Sequence, residues 1–131
     1  MSQAQIPGWS ALIEWFGHEP NFHDAEVISI DLRREPEPSV VRVHAWRTNA
    51  DLDKNGCFRR DKQAIVTFTL EGITALELSD WNRQNVLFEL HVESGEEGCT
   101  MHLPSSSGLE GKIIAASIVV SFEPGSPSGG G

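Results

Sequence analysis

The sequence predicts an α+β fold, in which a short N-terminal helix packs on a mostly antiparallel sheet of about six or seven strands. The helix is indicated by one apolar stripe at helical spacing, formed by Trp9, Leu12, Ile13 and Phe16. Alternating apolar and polar residues then recur between short turns, and no second helical stripe interrupts them. Consecutive strands are therefore expected to pair antiparallel, with the helix on one face or the sheet folded into a sandwich or partial barrel.

The helix is expected to begin at the N-cap residue Ser10 and to end at Gly17. A polar loop is predicted at 48–61, and a bend is predicted at Gly72. The extended segments are predicted at residues 22–33, 40–47, 62–70, 73–78, 85–93, 99–103 and 112–123. At 131 residues, one domain is expected over residues 1–123, followed by a disordered Gly/Ser/Pro tail at 124–131.

Residues 22–33 combine acidic side chains with a strand pattern. Strict alternation places Asp24 and Glu26 on the same face as Ile28 and Ile30, and His23 on the opposite face. The two carboxylates could serve as an acid/base or ligand site in a pocket, or could face water at the start of a strand. Because His23 points away from them, the three side chains are not expected to converge.

The charge is strongly acidic and unevenly distributed. The net charge of −9 divides into −5 over residues 1–32, +1 over 33–85 and −5 over 86–131. Nucleic-acid binding needs a basic surface, so it is not expected. An acidic surface suits either simple solubility or docking onto a basic partner.

The cytoplasm is the expected location. No apolar run reaches the length of about 20 residues that spans a bilayer, so no membrane partner is expected. The N-terminus has no signal-peptide pattern, and Cys57 and Cys99 are too few for a disulfide framework.

No cofactor, metal centre or catalytic set is predicted. Asp51, Asp53 and Asn55 match the first half of a calcium loop, but Lys62 occupies the position that requires a bidentate glutamate. Weak cation binding by that loop is left open. The histidines lack metal-ligand spacing, and there is no nucleophile elbow or phosphate-binding glycine loop. Residues 79–85, which include Trp81 and Arg83, combine residue types that are enriched in binding hot spots, although a turn anchored by Trp81 explains them equally well.

Two segments carry a resemblance to a known family. Residues 15–26 resemble the opening FG-x-x-P-x-FHDAE of an immunity protein family of bacterial polymorphic toxin systems, the family numbered fifty. Residues 81–86 are similar to the family's FN-x-QNV segment, with tryptophan in place of phenylalanine. The resemblance covers roughly residues 9–123. It implies a small cytosolic protein, not an enzyme, that binds and blocks a co-encoded toxin.

The leading hypothesis is therefore an immunity-type inhibitor that neutralises its toxin through an acidic surface. A small-ligand-binding protein or enzyme using Asp24 and Glu26 is one alternative, and a β-rich assembly module is another. The oligomeric state is left open. Candidate partner-binding residues are Asp24, Glu26, Trp81, Arg83, Glu93, Glu96 and Glu97.

Overall fold

The computed structural model confirms the α+β class. It describes residues 6–17, 22, 25–34, 36–52, 58–81, 85–87, 89–95, 98–104 and 109–125. Within them lie helix α1 (Trp9–Phe16) and strands β1 (Glu26–Asp31), β2 (Ser39–Leu52), β3 (Phe58–Ser79), β4 (Asn85–Val86), β5 (His91–Gly95), β6 (Gly98–Leu103) and β7 (Glu110–Pro124). The strands form one antiparallel sheet in the order β4-β1-β2-β3-β7-β6-β5, which is not closed into a barrel.

Helix α1 starts one residue before the predicted N-cap. Gly8, at φ 90°, occupies the cap position without a side-chain hydrogen bond, so the assignment of Ser10 as N-cap was wrong. The predicted end is confirmed, because Gly17 adopts φ 86° and donates its N–H to the Ile13 carbonyl at 2.8 Å. No helix in the described part of the chain is long and apolar enough to cross a membrane.

Strands β2 and β3 are longer than predicted. The predicted loop at 48–61 is largely extended, since β2 continues to Leu52 and β3 resumes at Phe58. The predicted segments 62–70 and 73–78 are parts of the single strand β3. Gly72, at φ 67°, and a register shift between Ile73 and Ala75 mark the predicted bend.

The sheet must fold back on itself near Gly72. Asn85, Val27, Val43 and Val66 are successive partners in one row across β4, β1, β2 and β3. A straight β3 would carry Ser79 roughly 40 Å from that row, at about 3.3 Å per residue. The chain from Ser79 to Asn85 reaches at most about 20 Å. The sheet therefore has a concave inner face and a convex outer face.

The predicted strand at 85–93 is divided between the two edges of the sheet. Asn85 and Val86 pair with β1, whereas His91 begins β5 beside β6. Leu87 and Leu90, between them, are buried in the core. Six strand spacings would separate β4 and β5 by about 29 Å in a flat sheet, but the five-residue step spans at most about 18 Å. The curl of the sheet thus brings its edges towards each other.

The concave face and the helix enclose one hydrophobic core. Buried side chains from α1 (Trp9, Leu12 and Phe16) pack in the same cluster as residues from β2, β3, β5, β6 and β7. The N–H of Val120 on β7 donates to the Pro7 carbonyl at 2.9 Å, which ties the segment before α1 to the sheet. At the other end of the chain, β7 ends at Pro124. The division into a domain at 1–123 and a tail at 124–131 stays a prediction.

Trp9 provides a test of the core. Its side chain is fully buried, and no described residue accepts a hydrogen bond from its indole Nε1. Replacing Trp9 by phenylalanine removes an unpaired donor, whose burial costs about 1–3 kcal/mol, and leaves a small cavity of comparable cost. We expect Trp9→Phe to change the free energy of unfolding by no more than about 1 kcal/mol in urea titrations. Trp81→Phe, at an exposed position, is the control; a large loss for Trp9→Phe only would contradict this balance between the unpaired donor and the cavity.

Candidate functional site

The candidate site is built on the outer face of the sheet by a row of cross-strand partners. Glu26 on β1 lies opposite His44 on β2, His44 lies opposite Ile65 on β3, and Ile65 lies opposite Glu123 on β7. Directly opposed residues of antiparallel strands project to the same face. These four residues therefore span about 14 Å, with Glu26 and Glu123 outermost among them, and the row continues beyond Glu26 to Val86 on β4.

Glu26 lies on this outer face because β1 contains a β-bulge. The register between β1 and β2 shifts between Val27 and Ser29, so the alternation of side chains changes phase there. Val27 is buried in the core, and Ile30 packs against the same core after the bulge. The prediction that Glu26 and Ile30 share a face was wrong for this reason. Glu26 is consequently directed away from the helix side, and a pocket between helix and sheet does not include it.

Two aromatic side chains lie on this face, His44 within the row and Trp46 beside it on β2. His44 is only 8% exposed, and its Nε2 lies 3.1 Å from Oε1 of Gln63. Its ring centroid is 5.0 Å from that of Trp46, which is half-buried. We call this group the carboxylate–aromatic patch, and its members are Glu26, His44, Trp46, Gln63, Ile65 and Glu123.

The carboxylate of Asp31, on the same strand as Glu26, is paired with a cation, unlike the carboxylates of the patch. Arg33 donates from Nε to the Asp31 carboxylate at 3.2 Å, and its Nη2 lies at the same distance. This hydrogen bond and the attraction between the charges raise the pKa of Arg33 above its usual value. Within the described residues, neither Glu26 nor Glu123 forms an ion pair.

The described residues proposed from sequence do not form one patch. Glu26 lies on β1, and Glu93 is exposed on β5, with β2, β3, β7 and β6 between them in the sheet order. Trp81 follows β3 and is 52% exposed. The other four residues, Asp24, Arg83, Glu96 and Glu97, lie outside the described residues.

A second polar row lies on the outer face at the far end of the sheet. Glu77, Lys112, His102 and His91 are successive partners on β3, β7, β6 and β5. Nε2 of His91 is 2.5 Å from a carboxylate oxygen of Glu89. A cleft of about 410 Å³ is lined in part by Glu77, His102 and Lys112. Glu77 lies opposite Lys112, and His91 contacts Glu89, so acidic and basic side chains are mixed along this row.

Another cleft, of about 510 Å³, opens beside the β1–β2 connection and is lined in part by Arg33, Arg34 and Glu37. Ser39 closes that connection, because its hydroxyl accepts from the Arg33 N–H at 2.8 Å. Positive and negative side chains are mixed here, and Arg33 is already bonded to Asp31.

Among the described residues, no group of three or more His, Cys, Asp or Glu side chains could hold a metal ion. Asp53 and Asn55, in the loop for which the sequence left weak cation binding open, lie outside the described residues. Cys99 is buried as a free thiol.

The sequence contained a signal for part of the patch. Alternation along residues 40–47 already places His44 and Trp46 on the mixed face of a strand, opposite Val41 and Val43. Sequence reasoning missed Gln63 and Glu123 as their neighbours. These residues are brought together only by the register of β2, β3 and β7.

The fold and the patch define a small α+β protein whose candidate site is an outer sheet face rather than an enclosed pocket. Comparison with protein families identifies it further: the family described as Immunity protein 50 matches residues 8–123. The chain therefore belongs to the Immunity protein 50 family, which confirms the resemblance found in the sequence. No curated protein and no solved structure matches this chain. Immunity proteins are generally not enzymes.

Proposed function

We propose that this protein binds a co-encoded bacterial toxin and neutralises it, without catalysing a reaction itself. The family match over residues 8–123 is the observation that carries the proposal. The net charge of −9 supports a toxin with a basic surface as the partner, because opposite charges accelerate encounter and favour the correct orientation. Nucleic acid and membranes are not proposed as partners, and the proposed place of action is the cytoplasm of the producing cell.

The expected mode of inhibition is occlusion by a rigid surface. The outer face belongs to a hydrogen-bonded sheet with a packed core behind it, so little conformational freedom is lost there on binding. The residues proposed from the sequence as contacts are Asp24, Glu26, Trp81, Arg83, Glu93, Glu96 and Glu97. Glu26 is the one among them that also belongs to the carboxylate–aromatic patch.

Co-expression in bacteria tests the proposal. A toxin domain encoded beside this gene is expected to stop growth when induced without this protein, and growth is expected to recover when both are induced. The purified proteins are expected to form a complex in which the toxin is inactive. An unrelated acidic protein of similar size is the control for non-specific charge effects. Equal killing with and without this protein, at equal toxin levels, would reject the proposed function.

A further inference from the structure

We propose that the carboxylate–aromatic patch is the surface on which the toxin docks, and that it receives an arginine or lysine side chain of the toxin beside Trp46, between Glu26 and Glu123. This inference rests on the proposed function and adds the binding face and the chemistry of the partner.

The patch is held in place by the strands beneath it. His44 and Trp46 alternate along β2 with the buried residues Val43 and Ala45. On β3, Gln63 and Ile65 flank the buried Ala64. Strands packed in this way hold their outer side chains at defined positions, and the His44–Gln63 hydrogen bond orients the imidazole further. The partner would therefore meet a preformed surface.

The charge of the patch favours a cation. Glu26 and Glu123 lie on either side of His44 and Ile65, and neither has an ion-pair partner among the described residues. Arg42 occupies the next row, opposite Thr67, and the strands place Arg47 directly after Trp46 and Lys62 directly before Gln63. A guanidinium or ammonium group between the two carboxylates would be attracted by both.

The aromatic content of the patch favours the same ligand. The face of an indole ring attracts a cation through its quadrupole, and tryptophan binds cations more strongly than other aromatic residues do. Trp46 is half-buried and lies beside His44 on the outer face. Tryptophan is also enriched among the residues that dominate protein–protein binding.

The surrounding face is large enough to contribute to an interface. Beyond the patch it continues through Val40, Thr69 and Val119, which are successive partners on β2, β3 and β7. Val119 is 40% exposed. The four strands and these rows cover about 14 Å by 20 Å, roughly a third of the 800 Å² that each partner contributes to a standard interface.

A second copy of this chain is a poorer occupant. A twofold contact places the same surface of both copies face to face. Glu26 and Glu123 of one copy would then meet the same carboxylates of the other, and like charges across an interface are unfavourable. A basic protein surface avoids this repulsion.

The test measures binding of the co-encoded toxin domain, with its own catalytic residue substituted, to variants of the full chain by calorimetry. We expect Trp46→Ala to weaken binding at least about thirty-fold. The double variant E26Q/E123Q is expected to weaken it about ten-fold or more at low salt, with a smaller loss at high salt because ions screen exposed charges. Glu14→Gln, on the exposed side of α1, removes the same charge and is expected to bind like the wild type.

Circular dichroism and thermal unfolding establish that each variant is folded. The E26Q/E123Q variant keeps the inference testable if Trp46→Ala does not fold. A wild type that does not bind the toxin overturns the proposed function and this inference with it. If the wild type binds and E26Q/E123Q binds equally tightly, the patch is rejected as the docking surface while the proposed function stands. The same follows if Glu93→Gln weakens binding and E26Q/E123Q does not. If light scattering shows that the wild type is a dimer and that the patch substitutions make it a monomer, the patch binds a second copy of the chain, and the proposed docking of the toxin there is rejected.

Discussion

Gly8→Ala is expected to destabilise the protein by about 3–5 kcal/mol, from the combined cost of overpacking and of a positive φ in a residue with a side chain. Gly8 adopts φ 90° at the start of α1, and a Cβ added there would lie 1.9 Å from the Val120 carbonyl oxygen. The obstructing atom belongs to the backbone of β7, so it cannot move aside as a flexible side chain could. Relief of the clash would pull Pro7 away from the Val120 N–H and separate α1 from the sheet.

Gly125→Ala separates the clash from the backbone strain. Gly125 also has a positive φ, 127°, but no atom lies within 4 Å of its added Cβ. Chemical denaturation should therefore show a clearly smaller loss for Gly125→Ala than for Gly8→Ala. Typical domains have a total stability of only about 5–15 kcal/mol, so the Gly8 variant should approach the limit of folding. Equal losses for the two variants would contradict the close approach of Gly8 to β7.

Phe68→Ala is expected to lower the free energy of unfolding by about 3–5 kcal/mol. Phe68 is fully buried on β3, and its ring centroid lies 5.9 Å from that of Phe22 in an edge-on arrangement. Phe22 in turn lies 6.1 Å from Trp9. These three rings connect the sheet, the segment before β1 and the helix. Removal of the Phe68 ring leaves a cavity in the core. Because β3 is paired with a strand on each side, it cannot move to close that cavity.

Thr69→Ala is the matched control, because Thr69 follows Phe68 in β3 and lies on the outer face. Its substitution should change stability by less than about 1 kcal/mol. The rings of Phe68 and Phe22 are in contact, so Phe22→Ala combined with Phe68→Ala should deviate from additivity by about 0.5–3 kcal/mol. Additive losses, measured as urea midpoints at an unchanged slope, would show that the two rings stabilise the protein independently.

The local elements were predictable because their causes are local. The stripe Trp9, Leu12, Ile13 and Phe16 follows from helical periodicity, and the helix ends at Gly17 because a glycine readily adopts a left-handed conformation. The strands of the middle and the C-terminal part follow from alternation in the same way. The bend at Gly72 was predictable from a glycine that interrupts such an alternation.

The predicted strand bounds were wrong where contacts between residues far apart in the chain determine the structure. Residues 85–93 have a continuous strand pattern, yet the chain leaves one edge of the sheet after Val86 and joins the other at His91. Leu87 and Leu90 are apolar in either arrangement, so their composition does not distinguish a strand from a buried crossing. The extension of β2 to Leu52 likewise depends on pairing with β3. The polar residues of 48–61 are typical of a loop, so the sequence pattern does not indicate this pairing.

The candidate site was predictable only in part. The acidic charge and the family resemblance were visible in the sequence, and Glu26 was among the residues proposed. Its face was wrong, because the bulge after Val27 changes the phase of β1 and leaves no mark in the pattern of residue types. Glu123 was not proposed, since its alignment with Ile65, His44 and Glu26 depends on the register of four strands.

The sequence by itself determined the α+β class, the helix and its end, the acidic charge and membership of the Immunity protein 50 family. These properties depend on residue type, local periodicity and recognisable segments such as Phe22–Glu26. The tertiary structure alone decided the strand order, the fold-back of the sheet near Gly72 and the outward direction of Glu26. The physical reason is that strand pairing joins residues far apart in the chain, so register and bulges depend on packing against partners that no local pattern specifies.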